Sequence, residues 1–221
     1  MQQHVSAETS RHPLWLLAGF WFCVVIAIAV VLRRLLALIR PSQGGPAEMA
    51  ALDATFSSHA VLTAMHIIPA AIFVLLSAAV LLRGTGGEWL ERLFFPFGAV
   101  TGGTAYAMSY WVVGGWVERS AVLVFNTWFL FSLGRAYWFR VRGAAARKRE
   151  WITRAVGILL GIATTRPVLG VFFATSSHTH LGPSRFFDIA FWIGFSVNAS
   201  IIELWLHSKP RAQVHQLGAV L

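Results

Sequence analysis

Six long apolar runs limit what this chain can fold into. Crossing the hydrocarbon core of a bilayer takes roughly 20 helical residues, because each residue rises about 1.5 Å. The runs that meet this length span residues 14–38, 59–82, 93–113, 117–139, 152–174 and 186–206. The sequence therefore predicts an all-α fold, a polytopic membrane helix bundle with about six transmembrane helices.

The composition agrees with a membrane bundle. Of the 221 residues, 57% are hydrophobic and only 12% are charged, about half the charged fraction of a usual soluble domain. A net charge of +9 can indicate nucleic-acid binding. Here, however, the basic residues lie between apolar runs that are too long for a soluble fold. We interpret them as topology signals and as contacts to anionic lipid of the bilayer, and we expect no nucleic-acid partner.

The apolar runs divide the chain into three parts. Residues 1–13 are predicted to be a cytoplasmic N-terminal segment, 14–208 the transmembrane bundle and 209–221 a cytoplasmic tail. The first run is longer than the roughly 7–15 residues of a signal-peptide core, which favours an uncleaved first helix. The single cysteine, Cys23, lies in this run, so an intramolecular disulfide and a C-x-x-C motif are excluded.

The orientation follows from the basic residues between the fourth and fifth runs. The residues expected to contact anionic lipids there are Arg140, Arg142, Arg147, Lys148 and Arg149. The positive-inside rule places this link in the cytoplasm, and alternation then places both termini there, in an inner (plasma) membrane. Arg33 and Arg34 disagree, since this topology puts them outside. Either they extend to the outer headgroups, or the first helix is not a simple span.

The rare polar residues of the apolar runs converge on one depth. Counting from the outer helix ends at the helical rise places His66 ~10 Å and Arg166 ~12 Å below the outer boundary. The other polar residues near this level are Tyr106, Asn126 and Asn198. Because polar groups in lipid are costly without partners, we predict that these side chains face one cavity in the outer half of the bundle and bind a ligand there.

Arg166 needs a partner more than any other residue at this depth, because a guanidinium stays charged. The nearest predicted carboxylates, Asp188 and Glu118, lie closer to the outer surface. The functional alternative is a bound anion or carbonyl, such as a lipid phosphate, a quinone oxygen or a haem propionate. The cofactors that the sequence leaves open are therefore haem b and quinone.

Two further sets of polar residues lie near the two membrane faces. The candidate metal ligands on the outer side are His59, His178 and His180, although solvated interfacial histidines are more common than metal ligands there. The set near the cytoplasmic face is Arg135, Arg154 and Glu203. We predict a structural ion pair between Glu203 and one of the two arginines, with a proton-carrying site as the functional alternative.

Two segments resemble a known family. Residues 149–154, R-E-W-I-T-R, followed by a helix with Arg166, are similar to the R-x-W-[MI]-x-R segment of the bacterial domain-of-unknown-function family 2306. The last run resembles its closing pattern of a tryptophan, an asparagine and a glutamate, and His66 matches an early histidine. The resemblance covers roughly residues 56–208 and implies a multi-pass membrane protein without implying an activity. Lys148 and Glu91 occupy regions in which that family often has a histidine.

Three functions are compatible with these features. The first is a non-catalytic subunit or small-ligand-binding or carrier protein, whose buried polar site opens to the outside. The second is a membrane redox protein that binds haem or quinone through His66 and Arg166. The third is an accessory or scaffold subunit of a larger membrane complex, in which the polar layers are structural. The sequence contains no nucleotide-binding, serine-hydrolase or metalloprotease motif, so an enzyme is the less favoured expectation.

Overall fold

The chain is a helix bundle. The computed structural model describes residues 13–40, 47–82, 88–179 and 183–208, which contain eight α-helices, one short 3-10 turn and no strand. The helices are α1 Leu14–Ile39, α2 Ala47–Ser58, α3 Ala60–Leu82, α4 Glu88–Met108, α5 Gly115–Val141, α6 Ala145–Leu159, α7 Gly161–Thr179 and α8 Pro183–Ser208, and the 3-10 turn is Ser109–Trp111. The predicted all-α bundle is confirmed.

Four of the described segments are long and apolar enough to cross a membrane. They are Leu14–Ile39, Ala60–Leu82, Ala145–Thr175 and Arg185–Ser208. The third of these combines α6 with α7, which are separated only at Leu160. Helices α4 and α5 are long as well, 21 and 27 residues. They carry charged residues such as Glu91 and Arg135, which make them less apolar, so the predicted number of about six spans is approximate.

The helices pack mainly as consecutive hairpins, α3 with α4, α5 with α6 and α7 with α8. One end of the bundle, here called the α2 end, holds α2, the 3-10 turn and the starts of α3, α5 and α8. There the rings of His59 and Trp111 lie 4.2 Å apart, and the Glu118 amide donates to Asp188. The opposite end, here called the α6 end, holds the starts of α4 and α6 and the ends of α5 and α8.

Helices α7 and α8 approach each other closely because glycines, which have no side chain, occupy their contact. A Cβ atom at Gly194 would lie 2.7 Å from the backbone nitrogen of Thr165. At Gly161 an added Cβ would lie 2.9 Å from the Cα atom of Phe195. In lipid, where helix association depends on packing rather than on the hydrophobic effect, such contacts let two backbones approach.

Helix α2 was not predicted, and it supplies a partner for Arg33 and Arg34, the two arginines that the predicted topology places outside. The Arg34 Nη1 atom lies 2.5 Å from Oδ1 of Asp53, a buried residue of α2, and the Arg33 Nη2 atom lies 3.3 Å from Oδ2. The Arg34 guanidinium also lies over the Phe56 ring at 3.9 Å. The two arginines are therefore paired with a carboxylate that follows them in the chain.

Candidate functional site

A cavity of about 270 Å³ lies inside the bundle toward the α2 end. Its wall is mostly apolar, with side chains that include Ile67, Val74, Phe129, Ile162 and Phe191. Its charged and most polar lining residues are Arg34, His59, His66, Glu118, Asn126 and Arg166. A small apolar cavity with a few convergent polar groups is the usual form of a small-molecule site. Its volume lies close to the lower limit of the roughly 300–1,000 Å³ typical of such sites.

Arg166 contributes the charge that lacks a partner. It lies on α7, and its Nε atom is buried without a hydrogen-bond partner among the described residues. None of the ion pairs within 4.0 Å in the described part of the chain involves Arg166. Arg119 and Arg135 also have a buried, unpartnered Nε atom, but each lies over aromatic rings. Arg166 has neither kind of contact in the described ranges. The Glu118 carboxylate attracts it electrostatically without an ion pair within 4.0 Å, so the guanidinium can still bind a ligand.

The two carboxylates that the sequence offered as partners of Arg166 accept hydrogen bonds at the start of α5. The Glu118 Oε2 atom accepts a 2.6 Å hydrogen bond from the Gly114 amide. The Asp188 Oδ1 atom accepts a 3.1 Å bond from the Glu118 amide. The first amides of a helix lack partners within the helix and attract negative charge, which explains the position of both carboxylates. Glu118 still lines the cavity and contributes a second polar group to it.

His66 lies on α3 opposite α4. Its Nδ1 atom is 3.0 Å from the Thr104 hydroxyl oxygen. That hydroxyl also lies 2.7 Å from the backbone oxygen of Val100. The tautomer of His66 decides which atom donates in its contact with Thr104. With its hydrogen on Nε2, the ring accepts from Thr104 and can donate to an oxygen of a ligand, and with its hydrogen on Nδ1, it donates to Thr104 and Nε2 can accept.

The predicted polar layer is divided between different places. Asn126 is buried, lines the cavity and donates through Nδ2 to the Gly102 oxygen at 2.9 Å. Tyr106 does not line the cavity, and its hydroxyl lies 2.7 Å from the Thr127 hydroxyl of α5. Asn198 lines a second cavity of about 180 Å³ and accepts a 2.8 Å bond from Thr164. The cavity thus joins His66, Asn126 and Arg166 without Tyr106 and Asn198.

The histidines predicted for the outer side do not gather around a common point among the described residues. His59 lines the cavity and packs against Trp111, while His178 is exposed near the end of α7. His180 lies outside the described residues. Within the described ranges, no group of three or more His, Cys, Asp or Glu side chains has the arrangement of a metal site.

At the α6 end, Glu203 pairs with Arg154. The Arg154 Nε atom contacts Glu203 Oε1, and Nη2 lies 3.0 Å from Oε2. Arg135, the other predicted partner, has no ion pair with Glu203. Its guanidinium lies over the Trp138 ring at 4.7 Å and toward Trp151 at 5.4 Å.

Sequence reasoning did not identify Glu91 as an ion-pair residue. Its carboxylate lies 3.2 Å from Arg140 and 2.5 Å from Lys148, so it joins α4 to α5 and α6. Lys148 and Glu91, at which the sequence departs from the predicted family pattern, contact each other. The sequence signal that could have predicted this ion pair is a glutamate at the membrane face where the basic α5–α6 link also lies. Two residues expected to contact lipid, Arg140 and Lys148, are therefore engaged within the protein.

No family model, curated protein or solved structure matches the chain. The resemblance to family 2306 therefore stays a prediction.

Proposed function

We propose that this chain is a small-ligand-binding membrane protein, acting as a carrier or as a non-catalytic subunit. Its ligand is a small amphiphile with an anionic or carbonyl group. The polar group binds Arg166 and His66, and the apolar part lies against the aliphatic and aromatic wall of the cavity. Charge-assisted hydrogen bonds from a guanidinium suit such a polar group.

The observation that carries this proposal is the unpartnered guanidinium of Arg166. Burying a cation without a partner is strongly unfavourable, so a buried, unpaired cation in a membrane protein commonly marks a site where an anion or another polar ligand binds. The other arginines with a buried, unpartnered Nε atom rest on aromatic rings, as Arg119 does on Tyr110 at 4.3 Å. An anionic or carbonyl ligand would give Arg166 the hydrogen-bond partner that the described residues do not supply.

A quinone fits this cavity better than haem among the cofactors considered. Both histidines of the cavity wall, His59 and His66, belong to the segment around α3 and are seven residues apart, ~10 Å along a helix. They cannot approach one iron from opposite sides as two axial ligands. A quinone needs only donors to its carbonyl oxygens, which Arg166 provides.

We further propose the membrane context in which this site works. The chain crosses a bacterial inner membrane six times, with both termini in the cytoplasm and the cavity toward the outside. Support comes from the basic residues of the α5–α6 link, which favour the cytoplasmic side. Helices α4 and α5 would complete the six spans, and their lengths of 21 and 27 residues and their packing in the bundle support this. The resemblance to family 2306 supports the same multi-pass arrangement.

Substitution of Arg166 tests the ligand proposal. Wild-type protein and the Arg166→Ala, Arg166→Lys and His66→Ala variants would be purified in detergent and titrated with decanoate and with a short-chain benzoquinone. Binding would be followed by native mass spectrometry and thermal shift. Arg166→Ala should lose about tenfold or more in affinity, the value of a charge-assisted hydrogen bond, and His66→Ala should lose less. Arg166→Lys should retain part of the binding, because the positive charge remains.

Arg119→Ala is the matched control for this experiment. Arg119 lies at the same end of the bundle but does not line the cavity. The control variant should bind both probes as the wild type does. Equal binding by the wild type and Arg166→Ala would contradict the proposal, and reduced folded yield of both cavity variants without any bound probe would favour a scaffold subunit. A haem absorbance band that disappears in His66→Ala would favour the redox protein instead.

A further inference from the structure

A stripe of large side chains runs along α5 toward the α6 end. Phe131, Arg135, Trp138 and Arg142 follow one another at intervals of four, three and four residues, so they share one face of the helix. Phe131 is 57% exposed, and its ring meets that of Trp151 from α6 at 5.6 Å. The stripe therefore begins with an exposed apolar side chain and continues with two arginines on either side of a tryptophan.

Both arginines of the stripe pack on the Trp138 ring. The Arg135 guanidinium carbon lies 4.7 Å from the centre of the Trp138 ring, and that of Arg142 lies 3.9 Å from it. A third guanidinium, Arg147, lies 5.6 Å from the neighbouring Phe139 ring. Cation–π contacts orient these groups, but they do not neutralise the charge.

The carboxylates described at this end are all engaged with other cations. Glu91 pairs with Arg140 and Lys148. Glu150 and Glu203 pair with Arg154. The remaining one, Glu88, pairs with Arg92.

Arg135, Arg142 and Arg147 are consequently without an ion pair in the described part of the chain. The Arg135 Nε atom is buried and has no hydrogen-bond partner there. The three side chains are partly or fully exposed, so an external anion can reach them. Three neighbouring cations with no carboxylate repel one another unless such an anion binds.

We infer that Arg135, Arg142 and Arg147, with Trp138 and Trp151, bind the phosphate of an anionic phospholipid headgroup. Arginine donors suit a phosphate, and tryptophan is enriched at the headgroup level of membranes. The adjoining surface suits the acyl chains, since Phe131 and Val124, farther from this end of α5, are 57% and 50% exposed. This site differs from the cavity and does not depend on its ligand.

The test compares lipid binding by the purified protein and its variants. Wild type, Arg135→Gln, Arg135→Gln/Arg142→Gln and Arg92→Gln would be titrated with phosphatidylglycerol and phosphatidylcholine and examined by native mass spectrometry. The expected result is preferential binding of phosphatidylglycerol. Each arginine near the surface contributes about fivefold in affinity, so the double variant should lose about 25-fold. Arg92→Gln, which removes a charge at the same end but outside the site, should bind as the wild type does.

Several outcomes would overturn the inference. One is unchanged phosphatidylglycerol binding by the double variant, and another is equal binding of phosphatidylcholine by the wild type. Displacement of the lipid by millimolar inorganic phosphate would show a site for a free anion instead. Arg135→Lys/Arg142→Lys keeps the charge, so its partial recovery of binding would separate a lost contact from a misfolded protein.

Discussion

At the scale of single residues, carboxylates limit how the charges of this chain can be paired. The sequence has 18 Lys and Arg but only 9 Asp and Glu residues. Asp53, Glu91 and Glu203 each pair with one or two cations, and Glu118 and Asp188 accept hydrogen bonds from amides at the start of α5. Arginines are left over, and two of them, Arg135 and Arg166, have a buried Nε atom without a hydrogen-bond partner among the described residues.

The ion pair between Arg154 and Glu203 should contribute measurably to stability. Arg154 is 10% exposed in its side chain and Glu203 22%, so removal of the carboxylate leaves a largely desolvated cation. We expect Glu203→Gln to lower the free energy of unfolding by about 1.5–3 kcal/mol, the value of hydrogen bonds to a charged group. The measurement is the melting temperature in detergent.

Glu150→Gln is the control for the same arginine. Its side chain is 46% exposed and lies at the longer distance of 3.4 Å from Arg154. An exposed pair four residues apart on a helix contributes only about 0.3–0.5 kcal/mol, so this variant should melt close to the wild type. Equal melting of Glu203→Gln and the wild type would contradict the role assigned to the pair.

At the scale of helices, the apolar runs predict a helix correctly where both of its ends coincide with the ends of the apolar segment. The predicted runs 14–38 and 59–82 correspond to α1 and α3 within one residue at each end. Helix α4 begins at Glu88, five residues before its predicted run, because its charged first turn extends beyond the apolar segment. Helix α2 has only 12 residues and includes Glu48 and Asp53, so it is too short and too polar to form an apolar run that predicts a span.

Gly194 should be intolerant of any side chain, because α7 and α8 touch there. An alanine Cβ at this position would meet the Thr165 backbone at 2.7 Å, and backbone cannot move aside as a flexible side chain can. We expect Gly194→Ala to cost about 1–3 kcal/mol, the usual penalty of overpacking. Thermal unfolding in detergent measures this loss.

Gly170→Ala is the matched control. Gly170 belongs to α7 of the same helix pair, and a Cβ atom there would meet nothing within 4 Å. Alanine favours the helix over glycine by up to about 1 kcal/mol, so this variant should be neutral or slightly more stable. If Gly194→Ala were equally well tolerated, the close approach of α7 and α8 would be contradicted.

At the scale of the whole molecule, sequence reasoning gives the level of a residue but not its direction around the bundle. Counting the helical rise places His66, Tyr106, Asn126, Asn198 and Arg166 at similar depths. In the structure, Tyr106 contacts Thr127, and Asn198 lines another cavity. Which side of a helix faces the centre depends on packing against its neighbours, and that information is not contained in depth.

The proposed topology predicts that both termini are cytoplasmic. Fusions of a reporter active only in the cytoplasm and of one active only outside would be attached to the C-terminus. The cytoplasmic reporter should be active because the basic α5–α6 link fixes the orientation and an even number of spans follows from six helices. Activity of the outside reporter would overturn the orientation and would place the cavity on the opposite side of the membrane.

A density map of the wild-type protein in a lipid nanodisc, resolved to side chains, tests the ligand proposal most directly. The proposal predicts non-protein density in the cavity, with a polar end at hydrogen-bond distance, about 2.7–3.2 Å, from the Arg166 guanidinium. The rest of this density should lie against the apolar wall beside Val74 and Phe129. An ion pair between Arg166 and Glu118 around an empty cavity would contradict it.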